Sequence, residues 1–457
     1  MRRIGAGAGA GPRAMATRAV AASFLAVSAL VAWLAISVPF AARVLQVLIV
    51  VSMIYVAWLA WHGSRVMRRA YAEAASGAAE PTGRAADQPR ISIVLPARNE
   101  AAVIGATVRA LGALRFHASD GSPRYEVLVV DDASTDATGE RAREAAAGFE
   151  HVAVRRREPS SGPRTKGAVL AWAMPYLRGD VIGAVDADTL VESSFLERSM
   201  RAWQRDPGAD ALQVARRPRN ASVSWLTRAQ AEEQLMDMAS QCGRWATDGT
   251  AELRGNGMFV RRDALEAVGG WSERALTEDL DLATRLSAAG RHVTLAPETA
   301  VDEEAVETLG ALWRQRLRWA EGSLRRLLDH GPRLLLGSQP FVRKADFLAF
   351  AGEFLVPPLF ATTTVASLIT IPLPRPADWS VPASLFVSYG LGIFVLGIGG
   401  LSASGERGLA LVGRAGRGAL FLSHWLLVVP VALVRIAFGP GPTRFVQTPR
   451  FTREPDR

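Results

Sequence analysis

Two apolar runs stand back to back near the N-terminus, from about Ala19 to Ala42 and from about Val44 to Trp61, and they narrow the possible folds more than any other stretch. In a bilayer every backbone N–H and C=O must be satisfied within its own segment, so runs of this kind have to be helices. The first run exceeds the usual apolar region of a cleaved signal peptide and is followed at once by another, so the pair reads as a membrane hairpin and not as a removed leader. Arg2, Arg3, Arg13 and Arg18 precede it and Arg65, Arg68 and Arg69 follow it, while the turn offers only Arg43. That asymmetry puts both ends of the hairpin in the cytoplasm.

The remaining chain is too long for one small core: 457 residues suggest two or three units. Hydrophobic residues make up 49% of a chain that still carries 53 Lys+Arg, which fits membrane spans joined to a soluble domain. A net charge of +9 would suit a nucleic-acid partner. However, Arg greatly outnumbers Lys, and the basic residues gather beside the apolar segments, as the positive-inside rule requires. No nucleic-acid partner is expected. The single cysteine, Cys242, excludes an internal disulfide and a Cys-cluster zinc site, and reads as packing within a helix.

From Ile91 the chain alternates strand-like runs with helical patterns, the signature of a mostly parallel sheet with flanking helices. Ile91 to Leu95 is the first strand, leaving through Pro96-Ala97-Arg98-Asn99-Glu100 into a helix with Val103, Ile104, Val108 and Leu111 on one face. Tyr125 to Val130 is the second, ending in Asp131-Asp132-Ala133-Ser134-Thr135-Asp136. Val152 to Arg155 is a third candidate, followed by a basic, Gly-containing loop from Ser160 to Gly167 and a helix from Ala168 to Leu177. Lys166 in that loop is placed to meet a phosphate, although a charge in such a loop is more often merely solvated.

The apolar run from Val181 to Val185 reads as a buried parallel strand that ends abruptly in Asp186-Ala187-Asp188. Ligands of open α/β sheets collect at this edge. Two carboxylates one residue apart supply hard oxygens for a divalent ion shared with a diphosphate. Taken alone, such a pair is more often a solvated acidic turn. Further along, Ala211 to Val214 is a strand, Arg228 to Trp245 an amphipathic helix, and Gly255-Asn256-Gly257 precedes the strand Met258 to Val260. Thr277 is placed to cap a helix beginning Glu278-Asp279-Leu280-Asp281, whose three acids exceed what a helix N-terminus needs.

Leu309 to Leu328 interleaves apolar residues with Arg around Gln315-Arg316-Leu317-Arg318-Trp319, the composition of a helix lying in a membrane surface with its arginines toward headgroups. Apolar segments resume at about Phe347 to Leu373, Val381 to Leu401 and Leu420 to Phe438. Three full spans would put the C-terminus outside, whereas Arg444, Arg450, Arg453 and Arg457 argue for inside. A re-entrant segment or a fourth, poorly marked span would reconcile the two. The expected organisation is a basic tail over 1–18, the hairpin over 19–62, a linker over 63–90 whose Ala/Gly/Pro-rich part acts as a tether, the α/β unit over 91–305, interfacial helices over 306–345, apolar segments over 346–438 and a basic tail over 439–457.

With these motifs assembled, Ile91 to Trp319 resembles the family 2 membrane glycosyltransferases of GT-A fold. The matching residues are Pro96 to Glu100, Asp131 to Asp136, Lys166-Gly167, Asp186-Ala187-Asp188, Thr277-Glu278-Asp279 and Gln315-x-x-Arg318-Trp319. The last motif is similar to that of cellulose, chitin, hyaluronan and poly-N-acetylglucosamine synthases. Arg318-Trp319-Ala320-Glu321-Gly322 followed by Arg325 to Asp329 looks closer to bacterial enzymes that glucosylate diacylglycerol.

The resemblance implies a multi-pass protein of the bacterial inner membrane with a cytoplasmic catalytic domain, a UDP-sugar donor and a lipid or glycan acceptor. Asp131 with Pro96, Ala97, Asn99 and Glu100 would hold the nucleoside, and Asp186 and Asp188 the nucleotide and Mg2+ or Mn2+. Lys166 and Arg318 would add positive charge at the diphosphate, Gln315 would join the donor-binding residues, and Trp319 would wall the acceptor site. Asp279, beside Glu278, would be the general base of an inverting transfer. The expected reaction moves a hexose, glucose foremost, to a lipid hydroxyl such as that of diacylglycerol. The alternative is a processive polysaccharide synthase, against which the thin C-terminal segments offer few channel-lining acids or aromatics beyond Glu353, Trp379, Tyr389 and Trp425. A transporter or scaffold with a degenerate α/β domain would need decayed carboxylate motifs, and these are intact.

Overall fold

The computed structural model describes residues 12–76, 88–158, 163–352, 354, 356–372 and 379–439. Most of both basic tails, the tether over 77–87, part of the Ser160–Gly167 loop and Glu353 lie outside the described residues.

Seven strands form one sheet: β1 (Ile91–Ala97), β2 (Tyr125–Asp132), β3 (Val152–Arg157), β4 (Val181–Ala184), β5 (Ala211–Pro218), β6 (Met258–Arg261) and β7 (Val293–Glu303), in the order β3-β2-β1-β4-β6-β5-β7. The strands β3, β2, β1 and β4 run parallel, and β6 is antiparallel to both β4 and β5. The mostly parallel sheet expected from the sequence is therefore present. Its first strand is apolar apart from Ser92 because both faces are covered. Ile91, Ile93 and Leu95 join one core with α3 (Ile104–Gly112), while Val94 joins Leu128, Val130 and Ile182 in the other. The parallel β1, β2 and β4 deliver Ala97, Asp132 and Asp186 to one edge. The strand β7 has no counterpart in the sequence reading: Pro297 interrupts its pattern, and pairing with β5 across a bulge at Val214/Ala215 overrides that local signal.

The N-terminal hairpin is present as α1 (Pro12–Ser37) and α2 (Pro39–Ser76), but the expected linker is corrected at its start. The helix α2 continues without a break to Ser76 because it packs on α7 (Trp225–Ala246) of the α/β unit. A Cβ on Gly63 would lie 1.9 Å from the Ala239 carbonyl oxygen, and one on Gly243 would lie 2.3 Å from that of Leu59. Only glycines allow this backbone-to-backbone approach.

Among the described residues, five helical stretches are long and apolar enough to cross a membrane: Met15–Ser37, Pro39–Ser76, Phe341–Thr370, Ser380–Ala403 and Gly408–Phe438. The last is two helices, α14 (Gly408–Leu422) and α15 (Trp425–Phe438), each shorter than the roughly 20 residues of a full span. Arg414 and Arg417 of α14 pair with Glu232 on α7. The helix α15 rests on α10 (Leu309–Leu336), with Val428, Val429 and Leu433 against Leu317, Ala320 and Leu324. Beyond it, the Gly439 carbonyl accepts a hydrogen bond from Arg18 at 2.8 Å. The chain thus ends this pair beside the start of α1. The helix α10 departs from the surface-helix expectation: Arg316 and Arg326 are buried and turn inward, onto Glu233 and Glu252.

Candidate active site

The loops leaving β1 and β2 are stitched together by their own polar residues. Asn99, at φ +53°, donates its backbone N–H to Ser134 Oγ and accepts from the Thr135 N–H at 2.8 Å. The Glu100 N–H donates to Thr138 Oγ1 at 2.7 Å. Asn99 is therefore a clip between loops, while Pro96, Ala97 and Glu100 line a cavity of about 1510 Å³. Asp131 is not among its lining residues. Strand register sets Arg156 opposite Asp131 and Arg157 opposite Asp132, and ion pairs follow at 2.8 and 2.5 Å. Asp132, passed over by the sequence reading, lines the cavity, as does Arg98.

Helix α5 (Lys166–Ala173) begins at the opposite wall, its first turn capped by Thr165 Oγ1, which accepts from the Ala168 N–H. Lys166 Nζ reaches Asp186 Oδ1 at 2.5 Å, the Gly255 carbonyl at 2.8 Å and Glu278 Oε1 at 3.5 Å. Gly167 permits this closeness: a Cβ there would lie 2.2 Å from the Ser272 carbonyl oxygen and 3.1 Å from Glu278 Cβ. Burial alone would lower the Lys166 pKa, but Asp186 and Glu278 more than offset it and hold the ammonium charged.

The Asp186–Asp188 turn hangs on Asn256. Its Oδ1 accepts from the Asp186 N–H at 3.1 Å and from Thr189 Oγ1 at 2.9 Å, and its Nδ2 donates to Glu303 at 2.9 Å. Asp188 is buried and accepts from the Glu304 N–H at 3.2 Å. The glycines beside Asn256 sit at φ +82° and +69°, and a Cβ on Gly255 would press on Asp279 Oδ2 at 3.0 Å. The sequence signal for Asn256 was a polar residue held between two glycines.

Glu278 and Asp279 open α9 (Glu278–Ala288) and both face the cavity. Burial raises the Glu278 pKa to about 7, with Lys166 pulling it down and Asp279 pushing it up. Burial also raises Asp279. Asp281 is spent elsewhere: His330 at 2.8 Å and Arg285 at 2.9 Å outweigh its burial and lower its pKa. Thr277 holds the N-cap position without a side-chain cap bond, and instead packs where a Cβ on Gly322 of α10 would intrude at 2.5 Å. On α10, Gln315, Arg318 and Trp319 complete the wall. Arg318 is depressed by burial and lies in the field of Glu278, Asp186 and Asp279.

A second charged cluster borders the same cavity. Glu252 meets Arg326 at 2.6 Å and Arg254 at 2.7 Å, Arg254 meets Asp237 at 2.8 Å, and Arg244 meets Asp346 of α11 (Phe341–Gly352) at 3.0 Å. Burial would raise Glu252, but Arg326, Arg244 and Arg254 bring its pKa down to about 2.

Residues 89–322 match the family described as glycosyltransferase like family 2. A β-monoglucosyldiacylglycerol synthase of Synechocystis is 34% identical over 366 residues, 79% of this chain and 74% of the relative. This chain belongs to glycosyltransferase family 2. A poly-β-1,6-N-acetyl-D-glucosamine synthase of Staphylococcus aureus is 28% identical over 237 residues, 51% of this chain and 54% of the relative. The fold is that of a mannosyltransferase of Pyrobaculum calidifontis in complex with GDP-Man and Mn2+, at TM-score 0.56 and 19% identity, covering 84% of this chain and 100% of that one.

For a family 2 glycosyltransferase the donor set is informative. Among the described residues no group of three or more His, Cys, Asp and Glu could hold a metal unaided. Asp186 and Asp188 supply two carboxylates, the number Mg2+ or Mn2+ takes when substrate phosphates and water complete its shell. The cation now resting on Asp186 is Lys166.

Proposed function

We propose that this family 2 enzyme transfers glucose from UDP-glucose to the free hydroxyl of diacylglycerol, with inversion at the anomeric carbon, at the cytoplasmic face of the bacterial inner membrane. The observation that carries this reading is the continuity of one cavity. At its sheet-edge end stand Lys166, Asp186, Asp188, Glu278, Asp279 and Arg318; at its other end it is lined by Leu48 and Val56 of α2, Leu359 of α12 (Val356–Thr370), Leu385 and Ile393 of α13 (Ser380–Ala403) and Val429 of α15. A nucleotide sugar suits the first end and hydrocarbon tails the second. Of the channel-lining residues a polysaccharide would need, Tyr389 and Trp425 line it and Trp379 does not. The names of the Synechocystis relative and its kin support the same acceptor.

In this reading the loops around Ala97 and Asp132 hold the nucleoside, and Asp186 and Asp188 would hold a divalent ion beside the diphosphate. When bound, such an ion supplies Lewis-acid stabilisation to the leaving diphosphate. Lys166 and Arg318 add fixed positive charge beside it. Asp279, its pKa raised by burial, accepts the proton of the lipid hydroxyl as that oxygen attacks, while Glu278 keeps Lys166 in place. With one base and no carboxylate nucleophile assigned, displacement is direct.

The test is to incubate the detergent-purified protein with labelled UDP-sugars and a membrane-lipid extract. Label from UDP-glucose is expected in a low-mass lipid, in the β configuration. Label in a polymer overturns the reading in favour of a processive synthase.

A further inference from the structure

Positions 316 and 318 of α10 are two residues apart, roughly 200° around a helix axis, so their arginines face different parts of the cavity. Arg318 belongs to the sheet-edge end. Arg316 turns toward α7 and α15: its Nη2 donates to Glu233, its guanidinium lies 4.1 Å from the Trp319 ring centre and 5.9 Å from that of Trp425. Arg316 is 1% exposed and lines the cavity, yet among the described residues its Nε and Nη1 have no hydrogen-bond partner. A guanidinium carries five donors in a fixed plane, and donors left unused in a buried site are costly. Glu233 engages one nitrogen of Arg316, and Arg216, which lies 5.7 Å from the same Trp319 ring centre, is matched by Glu303 at 3.9 Å, so what remains is a charge-balanced cluster with unused N–H groups. Leu422 and Val429 lie on the same stretch of wall. An anion would be opposed by Glu233; a neutral oxygen on an apolar molecule would not.

Resting on the glycerolipid reading above, we infer that Arg316, held by Glu233 and flanked by Trp319 and Trp425, is an acceptor subsite that donates to the ester carbonyl oxygens of a diacylglycerol. The subsite positions the glycerol so that its free hydroxyl points along the cavity toward Asp279. It also selects for a glycerol ester over a plain long-chain alcohol. The interaction is hydrogen bonding to a charged donor, and its loss is read as an ~10- to ~100-fold change.

The experiment compares 1,2-diacylglycerol with a 1,2-dialkylglycerol, which keeps the hydroxyl and the tails but has no carbonyl oxygens, both presented in mixed micelles to the full-length protein with UDP-glucose. The wild type is expected to favour the diacyl acceptor by ~10- to ~100-fold in kcat/KM. Arg316→Lys preserves the charge facing Glu233 and removes the remaining guanidinium donors; it is expected to bring the diacyl acceptor down to the ether level while KM for UDP-glucose stays at the wild-type value. Equal use of ester and ether by the wild type overturns the inference without any variant having to fold, and so does Arg316→Lys retaining the ester preference. Label entering a polymer and neither lipid fails the acceptor reading itself, a result distinct from equal use of both lipids.

Discussion

Around Glu252 three arginines close on one carboxylate, whereas around Glu278 one lysine is shared between two acids. Both clusters are buried and both border the same cavity, yet their acids move in opposite directions: Glu252 down to about 2, Glu278 up to about 7. The Glu252 cluster is balanced from within, with Asp237 and Asp346 matching the remaining arginines, and it ties α7, α10 and α11 together. The Glu278 cluster is short of positive charge. A nucleotide-bound cation would complete it, which is what a binding site requires and a structural joint does not.

Four measurements can break or sharpen that contrast. Asp279→Asn should lower transfer by about 10²- to 10⁴-fold while UDP affinity, measured by calorimetry, stays near wild type. Loss of UDP binding would move Asp279 to the donor side. Glu252→Gln should leave its arginines facing one another and cost about 3–5 kcal/mol of stability, seen as a lower Tm in detergent. A variant that melts normally but is inactive would merge the two clusters into one site.

The third measurement is pH. Glu278 is raised, so it is protonated below about 7 and ionised above it. If the ionised pair is the working form, rate should fall about tenfold per pH unit on the acid side of that point. Lys166 lowers the Glu278 pKa, so Lys166→Met should displace the limb to higher pH as well as reduce the rate. A flat profile between pH 6 and 8 would show that neither acid titrates in the working range. The smallest effect is expected for Asn256→Ala, which frees the Asp186 turn: about 1–3 kcal/mol, appearing mainly in KM for the donor. An unchanged KM would mean that the turn holds without its clip.

The motifs that were legible in the sequence are those whose chemistry is local. Asp186-Ala187-Asp188 follows a strand, Lys166-Gly167 opens a helix, and Glu278-Asp279 starts another, so spacing alone set them at loop ends near one sheet edge. What stayed hidden depends on partners far along the chain. Asp131 and Asp132 look equivalent until β3 places Arg156 and Arg157 opposite them. Arg316 looked like a headgroup contact because Glu233, 83 residues away, is not visible as its partner. Likewise β7 exists through its pairing with β5, and the tail of α2 is helical because α7 supports it.

That last contact fixes a height. With Gly63 against Ala239 and Leu59 against Gly243, a membrane helix and a helix of the soluble unit share one rigid spine. The carboxylates lining the cavity then stand at a constant distance from the apolar stretch of α2. With the proposed lipid acceptor, turnover should consequently respond to bilayer thickness.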